Sequence, residues 1–467
     1  MGEATSYDAV EYPASSYPTT HPSHLAALAA LHGLAAPDPQ TCRVLEIAGG
    51  DGINLAAMAA GLPQAHFTSF DLSTAAVERG RRVVAAAGLT NVDIVLGDLL
   101  DWADGAEGQY DYIIAHGLYA WVPESVRAAM WRLVARVLAP EGIAFVSYNA
   151  QPGGYLRMAV RDMLLHALDG LEGDARMAKA HAVLQAYSTQ REGERLTQQA
   201  LRAVAEPMAL KNDGSLFHDE LGECYAPQSL VQMASAAGSH GLAFLNDALP
   251  KMVTDGLPGE ALDDAEVVRA AQASDYEAVT FFHQSLFVRE GRAPCRVVDP
   301  AAFGHLLASA KLERKSATEF VHEEGPFEID DAAMADFLGE MAAAWPERLP
   351  LARFAGDAEK QAGVLELYQN GLVQLHAAPF PGTTAPGDAP EASALVRAQV
   401  ALGAPILFSL DMRVVTMPPG PRHFLSLMDG TRSREQLAAD WGKSEFDDQV
   451  SADDAIAQLA KAGLVLS

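Results

Sequence analysis

Short apolar runs alternating with amphipathic stretches organise residues 42–149. Val44-Leu45-Glu46-Ile47 reads as a short buried strand, and Asn54–Ala60 behind it as a helix. The alternation then repeats, with strands at His66–Phe70, Val92–Leu96, Tyr110–Ala115 and Ile143–Tyr148. Helices are expected at Thr74–Ala87 and Ser125–Leu138. Strands separated by helices imply an α/β fold whose sheet is parallel and doubly wound.

The flanking segments carry different patterns. Residues 1–40 are rich in proline and aromatic residues (Tyr7, Tyr12, Pro13, Tyr17, Pro18, Pro22), interrupted by one apolar helix near Pro22–His32. From Leu156 onward, Leu156, Val160, Leu164 and Leu168 recur at helical spacing, so the middle module is expected to be mostly helical. Ala333–Leu375 and Phe424–Leu466 resemble each other, each closing with a helix, a glycine and a short β-run (Gly371-Leu372-Val373 and Gly463-Leu464-Val465). They read as two small winged-helix-like units. Pro379–Pro390, PFPGTTAPGDAP, reads as the linker between them. The expected divisions are an N-terminal arm or lid (1–40), the α/β domain (41–155), a helical regulatory or substrate module (156–295), and winged units at 296–380 and 395–467.

Composition narrows the class. The 467 residues are too many for one core, and 49% hydrophobic with 20% charged residues suits a soluble globular protein. No run of about 18 apolar residues occurs, which argues against a membrane span. The N-terminus lacks the pattern of a secretory leader, and Met1-Gly2-Glu3-Ala4-Thr5-Ser6 fits a myristoylation pattern only loosely, with no second membrane signal. Stable membrane association is therefore not expected. Cys42, Cys224 and Cys295 match no zinc or disulfide spacing, so no metal is expected and a reducing cytoplasm is the natural location. Net charge is −28, from 33 basic and 61 acidic residues. Such a field repels phosphate backbones, arguing against nucleic-acid substrates and favouring a cationic or lysine-rich one; solubility alone also accounts for it.

Candidate chemistry begins at VLEIAGGDGINLAAM (44–58), a strand running into a glycine cluster and then a helix. Gly49, Gly50 and Gly52 let backbone pass close to a ligand, and the helix start directs N–H groups to the same place. Nucleotide-binding folds of several kinds share such a loop. Asp71 closes the second strand, where a carboxylate can accept hydrogen bonds from both ribose hydroxyls. Asp98 closes the third, where it can accept from an adenine amino group. A helix cap or solvated strand end is the competing reading for each acid.

This pattern, over about 110 residues, resembles class I S-adenosylmethionine-dependent methyltransferases with a Rossmann-like sheet. The resemblance implies S-adenosylmethionine as cofactor, with Glu46 near its methionine end. It implies contacts from Tyr17, His21, Ala48, Gly49, Gly50, Gly52, Asn54, Asp71, Leu72, Asp98, Leu99 and His116. Ala48 stands where the family's first loop glycine is usual.

Longer motifs sharpen the resemblance. YDAVEYPASSYPTTHPSHLAAL (7–28), IIAHGLYAWVP (113–123), YNAQPGGYLR (148–157), SLFHDEL (215–221), FFHQSLFVR (281–289) and DGTRSREQLA (429–438) are similar to bacterial methyltransferases that carry a methyltransferase regulatory domain. Among them are rickettsial protein-lysine methyltransferases acting on outer-membrane proteins. That resemblance implies a protein or peptide substrate with lysine as acceptor. One departure is Gly154, where Pro-Gly-Trp is expected.

On the acceptor side, IIAHGLYAWVP is not the Asn/Asp-Pro-Pro-aromatic motif of enzymes that methylate planar amino groups. His116, Tyr119 and Tyr148 are candidates to accept the amine's proton. Tyr119, Trp121 and Tyr148 are candidates for a cage around a cation, with core packing as the alternative. Asn149 either binds a substrate amide or caps a turn, while Tyr17, Thr20 and His21 read as a lid. His218-Asp219-Glu220 lacks the paired histidines of a zinc site. Two other functions fit the same residues: methylation of a small metabolite or a peptide carboxylate, and a non-catalytic regulatory protein that only binds the donor.

Overall fold

The computed structural model describes residues 10–250, 263–443 and 450–467, so the Met1–Ser6 pattern and Tyr7 lie outside the described residues. Its centre is a seven-stranded sheet. In chain order the strands are β1 (Arg43–Ile47), β2 (His66–Asp71), β3 (Val92–Leu96), β4 (Tyr110–Ala115), β5 (Leu138–Asn149), β6 (Leu242–Asp247) and β7 (Phe282–Arg289). The spatial order is β3-β2-β1-β4-β5-β7-β6. All pairs from β3 to β5 are parallel, and β7 runs antiparallel to both β5 and β6. The strand order therefore reverses direction between β1 and β4, which opens a crevice beyond their carboxyl ends.

Nine of these elements were legible from periodicity, counting the helices α1 (Pro22–Leu31), α2 (Ile53–Gly61), α3 (Thr74–Ala87) and α5 (Glu124–Val137). Ser73 caps α3 by accepting from the Ala76 N–H at 3.2 Å, and Gly88 closes it at φ 63°. The short α4 (Leu99–Gly105) was not expected; at seven residues it is two turns, started by the Asp98 side chain.

β6 and β7 are strands set within the segment expected to be mostly helical, and they extend the central sheet. His283, Gln284 and Ser285 interrupt the apolar pattern of β7, although all three are buried. Their polarity is met inside the fold: His283 bonds Asp247 at 2.7 Å through Nδ1 and Asp275 at 3.0 Å through Nε2. Two carboxylates outweigh the burial of the imidazole and raise its pKa to about 9.

The rest of the middle module is helical as expected. It comprises α6 (Gly153–Ala167), α7 (Gly173–Ser188), α8 (Leu196–Ala209) and α9 (Asp213–Glu220), then α10 (Leu230–Gly238) and α11 (Asp264–Ala278) against the sheet. Val160, Leu164, Leu168, Leu184, Met208 and Leu216 give the first four helices a core of their own.

Each sheet face has its own core. Leu45, Ile47, Phe70, Ile113 and Val146 face α5, α10 and α11. On the other face, Val44, Phe67, Phe145 and Leu286 join Leu25 and Leu28 of α1, and the same cluster continues into Ala308, Phe337 and Tyr368. Helix α1 is thus buried between the sheet and a C-terminal unit. That unit contains a three-stranded sheet of β8 (Leu307–Ser309), β12 (Leu349–Pro350) and β13 (Gln374–His376), with β9–β11 (Glu313–Arg314, Glu319–His322, Gly325–Glu328) forming another. Helices α12 (Ala332–Ala344) and α13 (Ala358–Gln369) complete it.

The last unit holds α14 (Ala394–Ala401), the hairpin β14–β15 (Leu407–Phe408, Val414–Val415), α15 (Pro419–Leu427), α16 (Arg434–Trp441) and α17 (Ala452–Lys461). Gly371 and Gly463 close their respective helices at φ 74° and 76°, as the parallel endings of the two segments suggested. Gln374–His376 then pairs with β8, whereas Val465 makes only a single bridge to Ala392. Pro379–Pro390 is no free tether. Phe380 is buried, Pro381 sits where a Cβ on Gly61 would come within 2.8 Å, and α14 lies on α2 and α3.

Gly154 has a plain packing cause. A Cβ there would lie 2.4 Å from the Pro227 Cβ, so no indole fits. Gly154→Ala should lower stability by roughly 1–3 kcal/mol through overpacking, measured as a fall in the urea midpoint; a melt identical to wild type would contradict this packing.

Candidate active site

The loop after β1 turns left-handed three times, at Ala48 (φ 54°), Gly50 (φ 60°) and Gly52 (φ 65°). Ala48 therefore holds a conformation that costs an L-residue about 1 kcal/mol, which is why glycine is usual there. Gly49 must lack a side chain, because a Cβ would lie 2.2 Å from the Ser69 Oγ and 2.7 Å from the Glu46 Oε2. Gly50 N–H donates to the Asp71 Oδ2 at 2.8 Å, and Ser73 N–H to its Oδ1, also at 2.8 Å. Through these two bonds Asp71 shapes the loop. Asp98 caps α4 through Oδ1, accepting from Leu100 N–H at 2.8 Å.

Glu46 is buried at the tip of β1. Its Oε1 accepts from the Asn54 Nδ2 at 2.8 Å, while its Oε2, like the Ser69 Oγ beneath Gly49, has no protein partner. Burial, unopposed by any cation, raises the carboxyl to about 8. A positively charged ligand group would match this carboxyl. Leu72 remains 48% exposed at the end of β2, and Leu99 is buried at the start of α4. Behind them Trp102 stacks on Phe70 with centroids 4.3 Å apart, a contact that no motif announced.

The N-terminal arm lies across this crevice. Tyr17 N–H donates to the Asn54 Oδ1 at 3.0 Å, and the Asn54 Nδ2 also reaches the Thr20 Oγ1 at 3.2 Å. Asn54 so joins arm to Glu46. The Tyr17 ring meets the His116 ring at 3.8 Å between centroids. Glu11 pairs with Arg79 of α3 at 3.3 Å, and His218 of α9 bonds the Val10 carbonyl. Of the three lid candidates, Tyr17 and Thr20 meet the loop. His21 instead caps α1, its Nδ1 accepting from Ser23 N–H at 3.1 Å.

His116 follows β4, beside the crevice, with Phe145 and Phe282 rings 5.8 and 6.1 Å away. Its Nδ1 is buried without a partner, and burial lowers its pKa to about 4. Ser147 accepts from Gly117 N–H at 2.8 Å, fixing the turn. Asn149 ends β5, buried and opposite Phe282 of β7. Phe282 lies within the quoted FFHQSLFVR run, but nothing in that run marked it as a site residue.

The three aromatic cage candidates do not converge. Tyr119 accepts from the Trp131 Nε1 at 3.0 Å, and the Tyr148 hydroxyl meets the Ser285 Oγ at 3.1 Å in the core. Trp121 stacks with Tyr225 at 4.9 Å, and their rings carry the guanidinium groups of Arg157 and Arg161, 4.9–5.7 Å away. That cage is filled from within. His218, Asp219 and Glu220 are ion-pair and backbone partners, Glu220 accepting from Arg157 at 2.6 Å and Lys211 at 2.8 Å. Among the described residues no cluster of three or more potential metal ligands occurs, and no helix is long and apolar enough to cross a membrane.

A family model described as a methyltransferase domain matches residues 44–142. The chain is 31% identical over 277 residues to the protein RP789 of Rickettsia prowazekii, covering 58% of this chain and 50% of that protein. It is 30% identical over 220 residues to RP028 of the same organism, covering 47% of this chain and 88% of that one. The chain thus spans about half the length of the first relative and most of the second. PKMT2 from Rickettsia typhi has the same fold, with a TM-score of 0.82 at 20% identity over 98% of this chain and 100% of that one; its complex with AdoHcy gives 0.81.

Asn54→Ala should release the arm. The Tyr17 amide loses its acceptor, so its hydrogen exchange should accelerate roughly tenfold, while amides of β3 keep their protection. Unchanged exchange at Tyr17 would show that the arm is held by other contacts.

Proposed function

As this chain belongs to the family of the rickettsial protein RP028 and has a methyltransferase domain at its centre, we propose that it moves a methyl group from S-adenosylmethionine to a side-chain nitrogen of a protein or peptide, most readily lysine. The observation that carries the donor half is the unpartnered, buried carboxyl oxygen of Glu46 at the tip of β1, beside a loop that excludes side chains. Glu46 and Asn54 would hold the ammonium end of the donor. Asp71 would accept from the ribose and Asp98 from the adenine amino group, with Leu72 and Leu99 beside the base. The bound donor supplies a methyl carbon made electrophilic by its sulfonium.

The protein's work is alignment, exclusion of water and control of one proton. Tyr17 and Thr20, tied to Asn54, close the crevice. The acceptor amine must arrive uncharged, since lysine ordinarily titrates near 10.4. His116, lowered to about 4, is too weak a base to take that proton. Its neutral ring, packed among Tyr17, Phe145 and Phe282, makes a dry wall that disfavours an ammonium ion and so lets the proton leave to solvent. Asn149 is then placed to receive a polar group of the substrate backbone. The excess of 61 acidic over 33 basic residues supports a cationic substrate.

Incubating lysate proteins with methyl-labelled S-adenosylmethionine should put label into protein, recovered as methyl-lysine after acid hydrolysis. Label found only in small molecules would refute the protein acceptor.

The donor half has a pH signature. With Glu46 near 8 in the free protein, a cationic donor pulls its pKa down, so binding below pH 8 releases a proton. Affinity should rise with pH by up to about tenfold per unit and level off above 8. Calorimetry in two buffers of different ionisation enthalpy reads the proton directly. Glu46→Gln should bind more weakly and release none; the same release from that variant would assign the proton elsewhere.

A further inference from the structure

On the far side of the arm lies a second cavity, of about 80 Å³, between the arm, the β8/β12/β13 unit and the final unit. Pro18, Thr19 and His21 form one wall, Gln374 and His376 of β13 another, and Arg348 a third. Arg348 enters no ion pair among the described residues. Its Nη1 donates to the carbonyls of Ala378 at 2.8 Å and Pro379 at 3.0 Å, and lies 3.5 Å from the Ser23 Oγ. Its Nε and Nη2 make no hydrogen bond among those residues. Burial lowers the guanidinium to about 10, against the opposing pull of the Asp411 and Glu347 carboxylates, neither of which pairs with it directly.

The neighbouring carboxylate, Asp411, is already taken by Arg413 and by the Ser409 Oγ at 2.5 Å. His21 accepts at Nδ1 from Ser23 N–H, so its neutral ring carries the proton on Nε2 and has a donor to offer. One positive charge and four unused N–H groups, three on Arg348 and one on His21, therefore border a space that holds only a few heavy atoms. A half-buried guanidinium with unused donors and no direct ion pair favours an anionic partner. We propose that this cavity binds a small oxyanion of carboxylate or phosphate type, and that its occupant braces Tyr17–His21 over the glycine loop.

The bracing follows from continuity of the chain. Pro18, Thr19 and His21 line the cavity. Tyr17 and Thr20, interleaved with them, hold Asn54 and through it Glu46. An anion that orders one side of this five-residue stretch orders the other. The bracing half rests on the donor reading above; the binding half does not.

The test is thermal unfolding of the full chain in inorganic phosphate, and separately in acetate, with chloride holding ionic strength constant. Wild type should be stabilised saturably by one or both. Arg348→Gln and Gln374→Glu should each weaken the response roughly tenfold or more. Gln374 is exposed, so Gln374→Glu stays informative if Arg348→Gln does not fold. An undiminished response in Gln374→Glu, or none in wild type, overturns the site. A short peptide that protects with a free C-terminus and not when amidated assigns the cavity to a chain end; equal protection by acetate assigns it to a free anion. Saturating phosphate should also tighten S-adenosylmethionine binding by roughly fivefold or more, and an unchanged affinity overturns the bracing. A chain that responds to phosphate yet binds no S-adenosylmethionine counts against the methyl-transfer reading and leaves the cavity standing.

Discussion

A carboxyl group buried with one oxygen bonded and the other unmatched is the constraint around which this site is arranged. Glu46 stays protonated near neutral pH in the free protein because nothing positive stands beside it. Its satisfied oxygen is bound to Asn54, the residue that also receives the arm. The carboxyl group and the arm are thereby linked through three side chains, Glu46, Asn54 and Thr20, and the Tyr17 backbone amide. The same residue sets the loop's composition, since Gly49 has Glu46 and Ser69 where a Cβ would go.

Helix α1 makes the C-terminal units part of this arrangement. It begins at the arm, lies on one face of the sheet, and shares a continuous apolar cluster with Phe337 and Tyr368 beyond it. Helix α14 and Pro381 pack against α2 and α3 of the α/β domain. Removing residues 395–467 would therefore strip the donor domain of packing, so loss of activity in such a truncation would say little about substrate binding.

Much of the α/β part was legible because its signals are local. The bounds of Thr74–Ala87, Val92–Leu96 and Tyr110–Ala115 follow from apolar runs and from glycine or aspartate at their ends. Asp71 and Asp98 each shape or cap local backbone, which is the reading that competes with a ligand role. What stayed hidden depends on partners distant in sequence. β7 lies in a segment read as mostly helical, and the polarity of His283 within it is met only by Asp247 and Asp275, distant in sequence or on another element. Trp121 looked free to hold a substrate cation, and instead Arg157 and Arg161, about 40 residues on, cover it. The proline-rich Pro379–Pro390 run has the composition of a tether, but its prolines are contact points.

The late entry of β7 has a consequence for synthesis. β5 ends at Asn149, and the strand that covers its open edge does not finish until Arg289, about 140 residues later. β6, made earlier, touches the sheet only through β7. At translation speeds of about 5–20 residues per second, the nascent sheet waits roughly 7–28 s with the β7-facing edge of Ala144–Asn149 open. The open edge of β5 is thus exposed for far longer than a hairpin takes to form, so the pairing of that edge is decided late in synthesis.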